Sequence, residues 1–476
     1  SLILCSPASF QDLQAANPQI YFSSFPKNLQ ILPRDETNFG YVEISGVVDG
    51  AESGQLQLRI LRNGELWAEH VLLDLSQSKD AHSATGGPGT SNPFTRSFGI
   101  PAELANFDFL AHWQTGTETH LVAKANNLAA GDVYIISGQS NANAADYHGE
   151  QLANQHQRYW LRSFGTASLN PNDVIADLNW HLADGETAGW SGSVGTWGLR
   201  MGQLLLDKYQ IPIAILNGAV GGTLISYHSR NDQQHDDLST AYGRLLWRAK
   251  AAGVDQRAKA FFWYQGESDG GTPVATYADS FYDLYLDWLE DCPRLKQIYL
   301  MPVLKGCGNP TLELRDLQRR SADLLPGITV MSVTATNAHD GCHFYYSGYR
   351  QLGDRLARLL ARDFYGSLDT ANITAPNPLQ AQFTSANRGQ IMLTYRVASD
   401  QLILGSDVYQ DFKLGDGVPE KVISAAIAGP GQILLTLDQP TSATLMRYAG
   451  PNGSGEWLMN ARGVGALAFG ALPILP

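Results

Sequence analysis

The sequence predicts an α/β protein: a parallel sheet with helices on both faces over residues 131–366, flanked by β-sandwich domains over 1–130 and 367–476. Three observations carry this. Between 131 and 366, short near-continuous apolar runs alternate with amphipathic stretches, the pattern of doubly covered strands and their covering helices. On either side, the alternation gives way to strand-like runs with Gly- and Asn-rich turns. At 476 residues the chain is also too long for one ordinary domain, so two or three are expected.

Taken in order, Leu56-Gln57-Leu58-Arg59-Ile60-Leu61-Arg62 alternates apolar and polar, and Asn63-Gly64 precedes Glu65-Leu66-Trp67-Ala68. Asn-Gly between two such runs is the strongest short hairpin signal. A Gly-, Ser- and Thr-rich loop follows from Ala81 to Asn92, then strand-like segments up to His120-Leu121-Val122-Ala123-Lys124. No titratable cluster stands out in this first region.

From Gly131 the runs become continuous: Val133-Tyr134-Ile135-Ile136, Ile213-Ala214-Ile215-Leu216, Ala260-Phe261-Phe262-Trp263-Tyr264, Ile298 to Val303 and Ile328 to Val333. Between them, Trp197, Met201, Leu204 and Leu205 recur at helical spacing. So do Tyr277, Phe281, Leu284 and Trp288, and then Leu352, Leu356, Leu359 and Leu360. These stripes read as core. After Gly366 a linker-like stretch leads to further strands at Gln390–Val397 and Gln432–Leu437.

Composition narrows the partners. Hydrophobic residues make up 44%, enough for real cores. A formal charge of −13 argues against nucleic acid or an anionic membrane surface, both of which need basic patches. No run approaches the roughly 20 apolar residues of a membrane span, so no membrane insertion is expected. Ser1-Leu2-Ile3-Leu4-Cys5 lacks a basic n-region, so the chain is expected to be cytoplasmic or a mature form whose leader has been removed. Ten Trp and twenty Tyr suit sugar grooves and sandwich cores alike. Cys307 and Cys342 both follow apolar runs; if those runs are neighbouring strands, their ends are close enough to bridge, and a Cys307–Cys342 disulfide is expected. It would imply an oxidising compartment. Cys5 and Cys292 have no assigned partner.

Four segments end strands in the α/β region: Gly138-Gln139-Ser140-Asn141, Asn217-Gly218-Ala219-Val220-Gly221-Gly222-Thr223, Gln265-Gly266-Glu267-Ser268-Asp269 and Asp340-Gly341-Cys342-His343. A parallel sheet brings them to one edge, where open α/β folds bind ligands. A hydroxyl, glycine-freed amides, a side-chain amide and an Asp/His pair are the inventory for acyl transfer. Ser140 is the expected nucleophile, His343 its base and Asp340 the group that fixes the imidazole. The amides of Ser140 and Gly222 and the side chain of Gln265 are the expected oxyanion donors. Asn141, Gly221 and Glu267 hold these groups in place.

These motifs resemble the SGNH-hydrolase superfamily, and within it the sialic-acid O-acetylesterase-like carbohydrate esterases. The resemblance covers about residues 131–366. It implies a flavodoxin-like three-layer α/β/α fold and removal of acetyl groups from sugar hydroxyls without metal or cofactor. It also implies an acetylated carbohydrate as partner, flanking β-domains, and action outside the cytoplasm, secreted or periplasmic. Where typical members carry Asn as the third oxyanion donor, this chain has Gln265.

Weaker assignments sit in the same residues. Gly266-Glu267-Ser268-Asp269-Gly270 matches the Gly-x-Ser-x-Gly elbow, but Gly270-Gly271-Thr272-Pro273 separates Ser268 from the next helical stripe. His339, Asp340, Cys342 and His343 cluster, but no His-Glu-x-x-His or paired Cys-x-x-Cys accompanies them. His228 reads as a surface histidine, and Trp190 and Trp197 read as packing residues. A glycan-binding protein with an inert hydrolase-like domain and an SGNH lipase or thioesterase are the alternative functions. The identity of the acetylated sugar and the oligomeric state are not encoded legibly.

Overall fold

The computed structural model describes residues 18–51, 53–76, 91–396, 400–415, 417–451 and 456–476. Cys5, Val397 and most of the Ala81–Asn92 loop lie outside them. The chain divides into two units, one of Ser1–Asn28, Tyr41–Ile100 and Ala105–Leu128, the other of Leu29–Gly40, Pro101–Leu104 and Ala129–Pro476.

The first unit is all β. Strands Gln19–Ser24, Phe39–Asp49 and Ser91–Pro101 form one sheet. In the other, Gln55–Arg62 pairs antiparallel with Glu65–Asp74 and with Phe107–Thr115. The alternation read at Leu56–Arg62 is real: Leu56, Leu58 and Ile60 are fully buried, opposite Trp113, Ala111 and Phe109 on their partner strand. Asn63 (φ 51°) and Gly64 (φ 86°) supply the two positive dihedrals that a two-residue hairpin turn demands.

The second unit is built on a mainly parallel sheet. Its strand order is Trp180–Leu182, Leu161–Phe164, Ile213–Asn217, the central strand Glu118–Gly138, Ala260–Tyr264, Gln297–Leu300 and Ile328–Val330. Only the outermost Trp180–Leu182 runs antiparallel. Strand residues alternate between two apolar clusters, which is why these runs carry no polar face. Tyr134, Ile136 and Phe262 pack with helices Thr196–Tyr209 and Tyr346–Tyr365. Val133, Ile135, Phe261 and Trp263 pack with helices Ala241–Ala252, Val274–Asp291 and Leu312–Leu324. Trp197 and Trp263 are both wholly buried, one in each cluster. Emptying such an aromatic position costs about 3–5 kcal/mol.

Residues 29–40 group with this unit, although the sequence reading assigned them to the first domain. The reason is a three-residue strand, Ile31–Pro33, pairing in parallel with Ala129–Gly131. Beside it Arg34 grips buried Asp132 through Nε and Nη2 at 2.7 and 2.9 Å, and Tyr365 donates to the same carboxylate at 2.7 Å. Burial pushes Asp132 upward, but Arg34 and Lys259 outweigh it and hold the carboxyl below its usual range.

Beyond Gly366 lies a seven-stranded sheet in the order Phe412–Leu414, Leu445–Tyr448, Phe469–Leu475, Pro378–Phe383, Gln390–Tyr395, Gln432–Leu437 and Val422–Gly429, with a separate pair Leu402–Leu404 and Leu458–Asn460. Val464 and Leu467 reach into the cluster beneath the parallel sheet. Three buried arginines tie the halves together. Arg315 donates to Ala449 O (3.0 Å), Arg319 to Asn377 Oδ1 (3.0 Å) and Arg355 to Gly463 O (2.8 Å). No helix among the described residues is long and apolar enough to cross a membrane.

Candidate active site

The parallel strands share one carboxyl edge. Three motifs follow their strands at once, and the fourth comes after a loop from Met331. Gly138 ends the central strand at φ +134°, where a Cβ would fall 2.0 Å from the Tyr264 carbonyl oxygen. Only glycine lets the chain turn there. Ser140 then opens the one-turn helix Ser140–Asn143, closed by Ala144 at φ +46°, whose N–H returns to Ser140 O.

His343 Nε2 lies 2.9 Å from Ser140 Oγ across 203 positions of sequence. Both residues are half-buried. Burial pulls the His343 imidazole below its ordinary value; Asp340 pulls it up by less, and His148 adds to the lowering. The ring is therefore neutral at pH 7 and free to accept a proton. Gly221 sits beside Ser140, its Cβ direction ending 3.6 Å from Ser140 Cβ. Gly222 adopts φ +72°. Among the described residues nothing accepts a hydrogen bond from the N–H of Ser140 or Gly222.

Asn141 is the hub beneath the site and is fully buried. Its Nδ2 donates to Glu267 Oε1 (2.8 Å) and to Cys342 O (3.1 Å), and its Oδ1 accepts from Tyr349 (2.8 Å). One amide thus joins the Ser140, Glu267 and His343 segments. Glu267 is also buried, and its Oε2 has no hydrogen-bond partner among the described residues. Burial pushes it up to about 7 against the lowering effect of the Asn141 bond. The Cys307–Cys342 disulfide fastens the loop before His343 to the one after Gln297–Leu300.

Several expectations need correction. Gln265 does not offer a free donor to Ser140. It is fully buried, and its Nε2 is taken by Asp269 Oδ2 (2.5 Å), Thr223 O (3.0 Å) and Gln139 Oε1 (3.3 Å). Asp340 makes no hydrogen bond to the His343 ring among the described residues. Its Oδ1 instead caps its own tight loop, accepting from the Cys342 and His343 N–H groups at 2.8 Å each. Its charge still acts on the ring. His228 is buried, not superficial; it bonds Thr223 Oγ1 at 2.9 Å, and burial pushes its pKa down to about 4. Trp190 is exposed rather than packed, whereas Trp197 donates to Asn141 O at 2.9 Å.

Ser268 accepts from Gln139 Nε2 at 3.3 Å and sits in the single 3-10 turn Glu267–Asp269, not at the start of an α-helix; the next α-helix starts at Val274. In the His339–His343 loop, Cys342 is taken by its disulfide and His339 Nδ1 accepts from the Gly341 N–H. Two participants went unread in the sequence. Gln139 Oε1 accepts from the N–H groups of Gly266 and Ser268, stitching the first motif to the third. Its place beside Ser140 in a buried turn was the available signal. Tyr147 packs its ring on His343, and no local pattern announces that contact.

The chain is similar to known proteins over the region that carries these motifs. Residues 130–362 match the family model described as carbohydrate esterase, sialic acid-specific acetylesterase. The sialate O-acetylesterases of Pongo abelii and Homo sapiens are each 27% identical over 218 residues, which is 40% of this chain and 41% of theirs. The match thus takes in less than half the length of those curated relatives. A solved carbohydrate acetylesterase from Xanthomonas citri superposes over 95% of this chain and 99% of its own, with TM-score 0.63 at 17% identity, a likeness of fold. Over residues 130–362 the chain is thus similar to the carbohydrate esterases of the sialic acid-specific acetylesterase family.

Proposed function

We propose that this protein is a carbohydrate O-acetylesterase, removing acetyl groups from sugar hydroxyls through an acyl-enzyme on Ser140. The observation that carries the reading is the 2.9 Å contact between Ser140 Oγ and a half-buried His343 whose imidazole is neutral at working pH. Ser140 Oγ attacks the acetyl carbonyl carbon as its proton passes to His343 Nε2. The oxyanion takes hydrogen bonds from the free Ser140 and Gly222 amides, each of the kind whose loss costs ~10²–10³ in rate. Collapse breaks the ester C–O bond, and His343 returns the proton to the leaving sugar oxygen. Water, deprotonated by His343, then releases acetate. Asp340 supports the transient imidazolium through its charge.

An SGNH-type three-layer arrangement is the finer fold reading, supported by the helix clusters on both sheet faces. We read 131–366 as its catalytic domain and 367–476 as a C-terminal β-domain. Action outside the cytoplasm is part of the proposal, supported by the Cys307–Cys342 bond. The test is acetate release from acetylated sialosides and xylo-oligosaccharides by wild type, Ser140→Ala and Ser268→Ala. Ser268→Ala is expected to keep activity and Ser140→Ala to lose it. An active Ser140→Ala enzyme would overturn the assignment, and preference for long acyl chains on nitrophenyl esters would overturn acetyl specificity.

A further inference from the structure

A catalytic imidazole must be held in one orientation, since a displacement of about 1 Å can cost ~10² in rate. The customary hold is a carboxylate hydrogen bond on Nδ1. Here Asp340 spends Oδ1 on two backbone amides, and Oδ2 faces His148 Nε2 at 3.6 Å. Apart from its bond to Ser140, the His343 ring makes no hydrogen bond to the described residues. One bond along Nε2 leaves rotation about that axis unopposed.

The ring face is not bare, however. Tyr147 lies against it with centroids 4.3 Å apart and planes inclined by 33°. The same side chain donates its hydroxyl to Ser140 O at 2.9 Å. Burial pushes the phenol up to about 12, so it remains a donor across the working range. Its neighbour His148 packs on Tyr345 with centroids 4.3 Å apart, so residues 147–148 bracket the loop carrying the base.

We propose that Tyr147 is the positioning residue of this site, holding the imidazole of His343 against Ser140 by ring packing where a carboxylate bond is missing. The proposal rests on the reading of Ser140 and His343 as nucleophile and base. One side chain touches the main chain of the first and the ring of the second, so it sets the gap between them. Its aromatic face does the holding; its hydroxyl anchors that face.

The test compares wild type, Tyr147→Phe, Tyr147→Leu and Ser140→Ala by two readouts. The first is the rate of labelling by a fluorophosphonate, which forms an Oγ–P bond with loss of fluoride and reports serine activation whatever the natural ester. The second is kcat and KM on 4-nitrophenyl acetate. Tyr147→Leu is expected to lower labelling and kcat by ~10–100-fold with KM nearly unchanged. Tyr147→Phe, which keeps the ring, is expected to stay within about fivefold of wild type. Should the Leu variant not fold, Tyr147→Met is read in the same way. Wild-type labelling rates in the ringless variant, or a Phe variant as impaired as Leu, would overturn the proposal. Absence of labelling at Ser140 in wild type would overturn the parent reading and this one with it.

Discussion

Glu267→Gln isolates a single buried proton. The wild-type carboxyl is shut off from water, takes one hydrogen bond from Asn141 and leaves Oε2 unpartnered. Burial moves it from 4.5 to about 7. A carboxyl raised on folding adds stability that is full below its unfolded pKa and is lost as pH rises through its folded one. At 1.36 kcal/mol per unit, the loss between about pH 4.5 and pH 8.5 is ~3 kcal/mol. Gln has the same shape, still accepts from Asn141 and carries no titrating proton. Guanidinium unfolding followed by tryptophan fluorescence, run on both proteins at both pH values, reads the difference directly, because every other titrating group cancels. The variant should gain ~3 kcal/mol on wild type between the two. An offset that does not change with pH would refute the assignment of that proton to Glu267.

Two further outcomes follow from the geometry. Because burial holds the His343 imidazole below its ordinary 6.5, kcat/KM should fall as pH drops through an inflection under that value and stay flat above it; an inflection above 7 in the pH–rate profile would contradict the base assignment. Gly138→Ala forces a Cβ to 2.0 Å from the Tyr264 oxygen, while Gly222→Ala meets nothing within 4 Å and suffers only its positive φ. Thermal unfolding should therefore show the first as severely destabilised, by more than ~3 kcal/mol, and the second as down by about 1–2 kcal/mol.

What the sequence disclosed divides by distance. Ser140 was legible because it follows the end of an apolar run, and His343 because its loop follows the last such run; strands running in parallel bring these ends to one edge whatever separates them in the chain. The pairing of Cys307 with Cys342 was readable on the same ground. The destinations of side-chain donors were not. Nothing in Gln265-Gly266-Glu267 says that Asp269, one helical turn on, captures the Gln265 amide. Nor does Asp340-Gly341-Cys342-His343 reveal that the carboxylate folds back on its own amides rather than onto the ring. Tyr147 meets His343 only because an irregular segment crosses the rim. The Ile31–Pro33 strand is too short to display any period.

The arginines that join the two halves of the second unit bear on how this protein tolerates engineering. Arg315, Arg319 and Arg355 arise from helices before Gly366, and each donates one hydrogen bond to an acceptor beyond residue 376, although Arg319 also pairs with Asp316 and Arg355 also donates to Ser332 O and Thr334 O. Cutting the chain at Gly366 would take one acceptor from each of these three buried guanidinium groups and uncover the apolar seats of Val464 and Leu467. The tail is a lining of the scaffold, so a transplant of residues 131–366 into another protein must bring it along.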